Sequence, residues 1–337
     1  MRPATERPRR RRSIATLALG GLAAALIASC GSEGNPMGPS AVGPSLLLAF
    51  TSNRPPSAPG NKDAYFYSCA SGGLAFRPPN LDSPFDEGPL ALSGDGRWLA
   101  YNTTNPLVGT LTQVALYFVP TGVIHAPSTP ATFIGALNPS LSYDGRYLAF
   151  QNQVGSFFEQ DIALMDAFAD TLILTPRLHA IGALDFDPSL SGDGRLIAFT
   201  TSRGGTLDIA LYDVAGDSLI PLPNCNAPGA NDLGVSISRD GRYLAFHSNR
   251  AGGQGPFDVY VYDRVSASLL PMPGANTPLA DINPSLSPDG RWVAFTSEGE
   301  GGSDTRLYDL VTHRTFPIPG ANDPYFADRF PALADLH

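Results

Sequence analysis

The sequence predicts an all-β protein: a six-bladed β-propeller of four-stranded antiparallel blades, closed by pairing the C-terminal strand with the N-terminal blade. Three observations support this prediction. A nine-residue phrase recurs five times at intervals of 47 to 49 residues, and the two halves of a sixth copy lie at opposite ends of the domain. Helical periodicity is absent after residue 45, which excludes α/β alternatives.

The phrase reads Ser-x-Asp-Gly-Arg, then an aromatic or leucine residue, then an apolar residue, Ala and an aromatic residue. It occupies residues 93–101, 142–150, 191–199, 238–246 and 287–295. Glycine supplies a positive φ and aspartate bonds the backbone of a tight turn, so Asp-Gly predicts a turn between two strands. The apolar half after the turn favours a buried strand.

The sixth copy is split between the two ends of the repeat region. Residues 46–50 match the second half of the phrase, and residues 330–334 match the first half. Joined, they make one complete unit. This arrangement is typical of a propeller whose last strand completes its first blade, which buries the edges that an open sheet would expose.

Each unit is interpreted as four strands. The first is the segment that ends at the turn, such as residues 139–142, and the second follows the turn. The third has the pattern Asp-x-x-x-Tyr-Asp, as in residues 208–213, and the fourth is proline-containing, as in residues 219–223. Proline cannot donate to a strand ladder, so its presence fits the outer edge of a blade.

The repeated phrase and the Asp-x-x-x-Tyr-Asp strand resemble the WD40-like PD40 repeats of TolB-type propellers, over nearly all of residues 46–337. The resemblance implies the fold and leaves the function open. TolB-like proteins of the Tol–Pal system carry an α/β domain before the propeller and are soluble. Here about 15 residues stand between Cys30 and Leu46, so we expect a lipidated propeller relative without that domain.

Residues 1–29 predict a lipoprotein signal peptide. Arginines at 9–12 precede an apolar stretch over residues 14–28, which is too short for a typical membrane-spanning helix. Ile27-Ala28-Ser29-Cys30 resembles a lipobox, in which Cys30 would be acylated. An ordinary secretory signal and twin-arginine export are the alternatives.

Residues 30–45 are rich in Gly, Pro and Ser and predict a flexible tether. In lipoproteins, an aspartate after the lipidated cysteine tends to retain the protein in the inner membrane. Gly31 occupies that position. We therefore expect a lipid-anchored protein of the cell envelope, in the outer membrane, facing either the periplasm or the cell surface.

The domain that follows the predicted signal is acidic. Without six arginines and Glu6, 16 basic and 30 acidic residues remain, a net charge of −14. This balance argues against nucleic acid and against anionic lipid as partners, so that only the lipid anchor would contact the membrane. It favours a cationic partner surface or a bound cation, on a propeller expected to be monomeric.

Two cysteines remain in the repeat region, Cys69 in the first unit and Cys225 in the fourth. Units one and four lie about half a ring apart. That separation exceeds the ~7 Å between Cα atoms that a disulfide tolerates. We therefore predict free thiols.

Candidate binding residues lie where the chain enters each innermost strand. Two residues before the predicted strand start, five of six units carry an acid, and Ala136 is the exception. The acids are Glu87, Asp185, Asp232, Asp281 and Asp328, and Asn138, Asp187 and Asn283 follow at the predicted strand start. They predict a ring of carboxylates and amides around one channel opening, suited to a cation or basic side chains. The alternative, which we favour, is that each aspartate caps its own loop or bonds the next blade.

Catalytic patterns are weak. The five histidines have no metal-ligand spacing, and Gly-x-Ser-x-Gly is missing. Related lyases use a His-rich metal site, but of these histidines only His179 falls on the corresponding face. We assign no catalytic residue, metal site or cofactor, and leave a channel-bound cation open.

Three functions remain from the sequence. The first is a non-catalytic binding scaffold for an envelope protein or glycan. The alternatives are a polysaccharide-active lyase or hydrolase with its site at the channel mouth, and a structural envelope protein without a ligand. Positions that break the repeat, such as Ala136, Gln113 and the loops 53–62 and 157–159, are further candidates for specific contacts.

Overall fold

The computed structural model describes residues 44–53, 62–76, 81, 88–104, 112–127, 135–153, 160–299, 302–319, 322 and 327–336. The regular elements in these ranges are β-strands. No helix among the described residues is long and apolar enough to cross a bilayer.

Twenty-four strands form six antiparallel sheets of four strands each. We number the blades 1 to 6 in chain order. Blade 1 contains β24 (Asp328–Asp335), β1 (Leu46–Ser52), β2 (Asp63–Ser68) and β3 (Gly73–Phe76); blade 2 contains β4 (Leu90–Leu92), β5 (Trp98–Thr104), β6 (Thr112–Phe118) and β7 (Val123–His125). Blade 3 contains β8 (Ala136–Leu141), β9 (Tyr147–Gln153), β10 (Gln160–Asp166) and β11 (Thr171–Ile173).

Blade 4 contains β12 (Asp185–Leu190), β13 (Leu196–Thr201), β14 (Asp208–Asp213) and β15 (Ser218–Leu219). Blade 5 contains β16 (Asp232–Ile237), β17 (Tyr243–Ser248), β18 (Asp258–Asp263) and β19 (Ser268–Leu269). Blade 6 contains β20 (Asp281–Leu286), β21 (Trp292–Gly299), β22 (Gly302–Asp309) and β23 (Arg314–Phe316).

The ring is closed by the two ends of the repeat region. β24 pairs with β1 in antiparallel register, with Leu333 opposite Leu48. The innermost strands contact one another in the order β4, β8, β12, β16, β20 and β24, and β24 contacts β4 again. The predicted six-bladed, end-closed propeller is therefore confirmed.

Each repeated phrase forms the same hydrogen-bonded turn. In blade 3, the Ser142 hydroxyl donates to Asp144 over 2.8 Å and accepts from the Tyr147 backbone N–H over 2.9 Å. Asp144 also accepts from the backbone of Arg146 over 3.0 Å. Gly145 has φ +76°, a conformation that strongly favours glycine. These contacts explain why Ser, Asp and Gly recur at fixed spacing.

Two predicted strand boundaries were wrong. The innermost strand starts earlier than predicted: β8 begins at Ala136, and the equivalent aspartates are the first residues of β12, β16, β20 and β24. The fourth strand is shorter than predicted, since β15 ends at Leu219 and β19 at Leu269, before the prolines. Proline has no N–H to continue the ladder, so these segments leave the sheet.

Apolar side chains fill the spaces between neighbouring blades. The largest buried residues repeat by position, with an aromatic such as Phe150 or Phe199 near the middle of the second strand. Cys69 and Cys225 are both buried and free, as predicted. Burial raises the pKa of each thiol to about 12, so neither is a reactive thiolate near neutral pH.

Candidate binding site at the upper mouth of the channel

A β-bulge shapes the start of the innermost strand. In blade 4, Phe186 pairs with Thr200 and Ser189 with Ala198, so that Asp187 and Pro188 together face Phe199 alone. One extra residue is thereby inserted, which bends the strand. Asp187 takes φ +51°, in the left-handed region that asparagine and aspartate tolerate better than most residues.

The bulge recurs around the ring. We call the end of the channel where the innermost strands begin the upper end, and the five left-handed residues there the mouth ring. Its members are Asn138, Asp187, Gly234, Asn283 and Phe330. Blade 2 has Pro89 at this position, and proline cannot adopt a positive φ.

Asp187 carries the charge of the mouth ring. Its carboxylate accepts a 2.5 Å hydrogen bond from the Asn138 side chain of the neighbouring blade, and Asn138 also donates to Gln151 over 3.0 Å. Within the described ranges, no arginine or lysine forms an ion pair with Asp187. Desolvation raises the pKa of Asp187 to about 6, although the Asn138 hydrogen bond favours the ionised form.

A neutral imidazole takes the place of a mouth-ring side chain in blade 5. A Cβ atom on Gly234 would lie only 2.6 Å from Cε1 of His247, so the glycine makes room for the histidine ring. Burial lowers the pKa of His247 to about 4. Its Nδ1 atom is buried and has no hydrogen-bond partner among the described residues. His247 therefore adds polarity to the mouth without adding positive charge near pH 7.

Four of the acids predicted around the opening stand at the first position of their innermost strands. Asp185, Asp232, Asp281 and Asp328 are fully buried. The Asp232 carboxylate accepts from the Ala227 backbone over 2.8 Å, and that of Asp281 accepts from the Thr277 backbone over 2.5 Å. Asp232 and Asp281 thus each close the loop that leads into their own strand, as in the alternative favoured from the sequence.

Arginines complete two of these loop anchors. Arg203 pairs with Asp185 at 2.6 Å and donates to the Leu178 carbonyl oxygen. In the next blade, Arg250 pairs with Asp232 at 2.7 Å and donates to the Cys225 carbonyl oxygen over 2.9 Å. Asp185 and Asp232 are thus paired with arginines inside the protein, whereas Asp187 has an amide as its partner.

The lower end of the channel, where the Asp-Gly turns lie, is crossed by side chains. The Tyr143 hydroxyl donates to Asp335 over 3.0 Å, and the Arg239 guanidinium lies 3.6 Å from the centre of the Tyr143 ring. A Cβ atom on Gly94 would lie 2.3 Å from Tyr143, and one on Gly192 would lie 2.4 Å from Arg239. The two glycines therefore allow Tyr143 and Arg239 to lie flat across this end. Both occupy the variable second position of the repeated phrase, which is the sequence signal for this end of the channel.

Between the two ends lies a cavity of about 170 Å³, lined by the innermost strands. Serines link neighbouring blades around it. Ser140 accepts from the Leu190 backbone over 2.9 Å, and Ser189 accepts from the Ile237 backbone over 3.0 Å. These bonds hold the innermost strands, and hence the mouth ring, in fixed register.

His179 lies apart from the mouth ring. Its Nδ1 is 3.4 Å from Asp161, both groups are partly exposed, and the hydrogen bond with Asp161 raises the pKa of His179. In the part of the chain that the structure describes, no three His, Cys, Asp or Glu side chains are placed to hold a metal ion. Predicted positions Cys30, Glu87 and 157–159 lie outside the described residues.

Comparisons with solved structures find similar β-propellers. No family model matches the sequence, and neither does any curated protein. TolB from Acinetobacter baumannii matches with a TM-score of 0.61 at 17% identity, covering 86% of this chain and 66% of that one. The putative TolB from Agrobacterium tumefaciens matches with a TM-score of 0.59 at 16% identity, covering 81% and 89%.

The chain has the fold of a TolB-like propeller. It spans just under two thirds of the Acinetobacter protein and most of the Agrobacterium one. An oligogalacturonate lyase in complex with manganese also matches, with a TM-score of 0.53 at 15% identity, over 81% of this chain and 73% of the lyase. At these identities the matches establish the TolB-like propeller fold, and function has to be argued from the mouth ring.

Proposed function

We propose that this TolB-like propeller is a cell-envelope binding scaffold whose mouth ring receives a segment of a partner protein. The observation that carries the proposal is Asp187, a partly exposed but desolvated carboxylate at the upper end of the channel, held by Asn138 without a cationic partner among the described residues. A desolvated charge without a partner is costly in the free protein, so a ligand that neutralises it gains affinity.

Channel geometry supports the same reading. Tyr143 and Arg239 lie across the lower end, so we assign the upper opening, at the mouth ring, to the partner segment. The predicted signal peptide and lipidated Cys30 would place the scaffold in the cell envelope. We favour a protein over a glycan because a neutral glycan would leave the Asp187 charge unpaired.

The test is affinity capture of cross-linked envelope proteins on the full chain and on two variants. Asp187→Asn removes the mouth charge with an isosteric side chain. Asp304→Asn is the matched control, since Asp304 is exposed on β22 and its loss changes the net charge equally. Glycan-array binding with the same three proteins tests the other partner class.

The proposal expects one protein captured by the native chain and by Asp304→Asn, and at least about tenfold less of it by Asp187→Asn, since a charged hydrogen-bonded contact is worth a few kcal/mol. Equal capture by all three proteins would remove the mouth ring as the binding surface. Binding of a glycan that depends on Asp187 would replace the protein partner with a carbohydrate.

A further inference from the structure

We propose that the mouth ring is a site for an organic cation, a guanidinium or ammonium group, held between the Asp187 carboxylate and the Phe330 ring. This inference rests on the proposed binding function and names the chemical group that a partner inserts. Three observations support it: the order of the blades, the backbone conformation of Phe330 and the charge of Asp187.

Asp187 and Phe330 belong to opposite blades. The innermost strands follow one another as β4, β8, β12, β16, β20 and β24, so β12 and β24 are three blades apart in either direction. The two asparagines of the mouth ring, Asn138 on β8 and Asn283 on β20, are also three blades apart. Asp187 and Phe330 therefore stand on opposite strands of the ring, with an asparagine of the mouth ring on each side between them.

Phe330 is the unusual member of the mouth ring. It has φ +54°, a conformation in which the sister blades use Asn, Asp or Gly and in which a bulky residue is a genuine outlier. Its ring is half-buried and belongs to none of the apolar clusters found among the described residues. The bulge accounts for the backbone conformation but not for the choice of phenylalanine, and non-glycine residues in this region cluster at ligand sites.

Phe330 shares its positive φ with Asn138, Asp187 and Asn283. Asn138, at the equivalent position, reaches across the rim and bonds to Asp187 of the next blade. From the same position we infer that the Phe330 ring borders the mouth as well. A carboxylate and an aromatic face together bind organic cations, the first by charge and the second through its ring quadrupole.

Charge at the mouth selects against other ligands. Asp187 is the one ionisable carboxylate of the described mouth ring, and the neighbouring His247 is neutral near pH 7 because burial lowers its pKa. An anion would be repelled by Asp187. A neutral group would leave that carboxylate desolvated and unpaired. A planar guanidinium can bond the carboxylate and stack on the ring at once.

The experiment measures binding of three small probes to the full chain by NMR titration. N-acetyl-arginine methylamide carries the guanidinium, N-acetyl-lysine methylamide carries an ammonium, and N-acetyl-citrulline methylamide is the neutral isostere of the first. The variants are Asp187→Asn and Phe330→Asn, with Asp304→Asn as the matched control. Asparagine already occupies the mouth-ring position in blades 3 and 6, so both mouth variants are expected to fold.

The native chain should bind the arginine probe at least about tenfold more tightly than the citrulline probe. Asp187→Asn should remove that preference, and Phe330→Asn should weaken arginine binding about three- to tenfold while abolishing upfield ring-current shifts of the probe's side-chain protons. The lysine probe decides which cation the site prefers.

Equal binding of the arginine and citrulline probes, or unchanged binding in Phe330→Asn, would overturn the inference. The two proposals fail separately. Asp187-dependent capture of a protein without binding of either cationic probe would retain the scaffold and reject the cation site. Binding of a cationic probe without capture of any protein would retain the cation site and reject the scaffold.

Discussion

At the residue scale, the proposed binding at the mouth ring depends on which acidic side chain contacts the partner. Asp185 and Asp232 stand two residues before mouth-ring positions in the sequence. Inside the protein, each forms an ion pair with an arginine, at 2.6 and 2.7 Å. Asp187, two residues further along the strand from Asp185, has an amide neighbour and no described cation. Two residues of separation thus distinguish a loop anchor from a binding group.

Asp187→Asn should change the stability of the protein in a pH-dependent way. Because the folded pKa of Asp187, about 6, lies above the ordinary value near 4, the folded state holds this proton more tightly than the unfolded chain. Ionisation therefore costs stability above pH 6, and the cost disappears below about pH 4. The variant should gain about 1–3 kcal/mol at pH 8 and little at pH 4.

Urea unfolding at the two pH values measures this difference, with Asp304→Asn as the control expected to change by less than about 0.5 kcal/mol. A gain of equal size at both pH values would mean that the asparagine acts by packing rather than by removing a charge. A loss of stability at pH 8 would show that the ionised carboxylate stabilises the free protein.

The sequence predicts this site only in part. The repeat identifies Asn138, Asp187 and Asn283 as candidates. It does not distinguish them from the buried aspartates, because the alternation of residues in a strand does not reveal which carboxylate forms an ion pair with an arginine. Gly234 and Phe330 occupy the same repeat position and were missed. An alignment of the residue before each Pro-Ser or equivalent pair places both at the mouth-ring position. The positive φ that distinguishes this position is seen only in the structure.

At the element scale, four innermost strands, β12, β16, β20 and β24, begin with a buried acid, and serines of β8, β12, β16 and β20 each bond to the next innermost strand. Arg250 joins Asp232 to the Cys225 carbonyl oxygen and lies over the Phe246 and Tyr260 rings. Its side chain is 11% exposed, and that of Asp232 is fully buried. The pair at Arg146 and Asp166 is similar in distance, but Arg146 is 51% exposed.

Arg250→Ala should destabilise the protein by about 3–5 kcal/mol, because it leaves the buried Asp232 carboxylate without its cation. Arg146→Ala should cost less than about 1 kcal/mol, since solvent already screens that pair. Thermal or urea unfolding of the two variants tests the contrast. Equal losses would mean that burial of the Asp232 pair does not govern its contribution.

At the scale of the whole molecule, closure depends on a single strand from the C-terminal end. β24 supplies the innermost strand of blade 1, the mouth-ring residue Phe330 and the Asp335 carboxylate that accepts from Tyr143. Its register with β1 aligns these groups with the other five blades. This closure was predictable from the split phrase, because two half-copies make one blade only when the ends meet.

Removal of residues 328–337 should abolish the cooperative unfolding transition, since it exposes the apolar edge of β1 and opens the channel wall. A chain that ends at Leu336 is the control and should unfold like the native protein. Calorimetry compares the two. A cooperative transition at the native midpoint in the shorter chain would show that the ring does not need β24.

The most direct test of the account is the titration of the Asp187 carboxyl group by carbon-detected NMR, in the free protein and with saturating N-acetyl-arginine methylamide. The account predicts a pKa near 6 in the free protein, because the carboxylate is desolvated without a cation, and a fall to 4 or below when the guanidinium binds. An ordinary pKa near 4 in the free protein, unchanged by the probe, would contradict it.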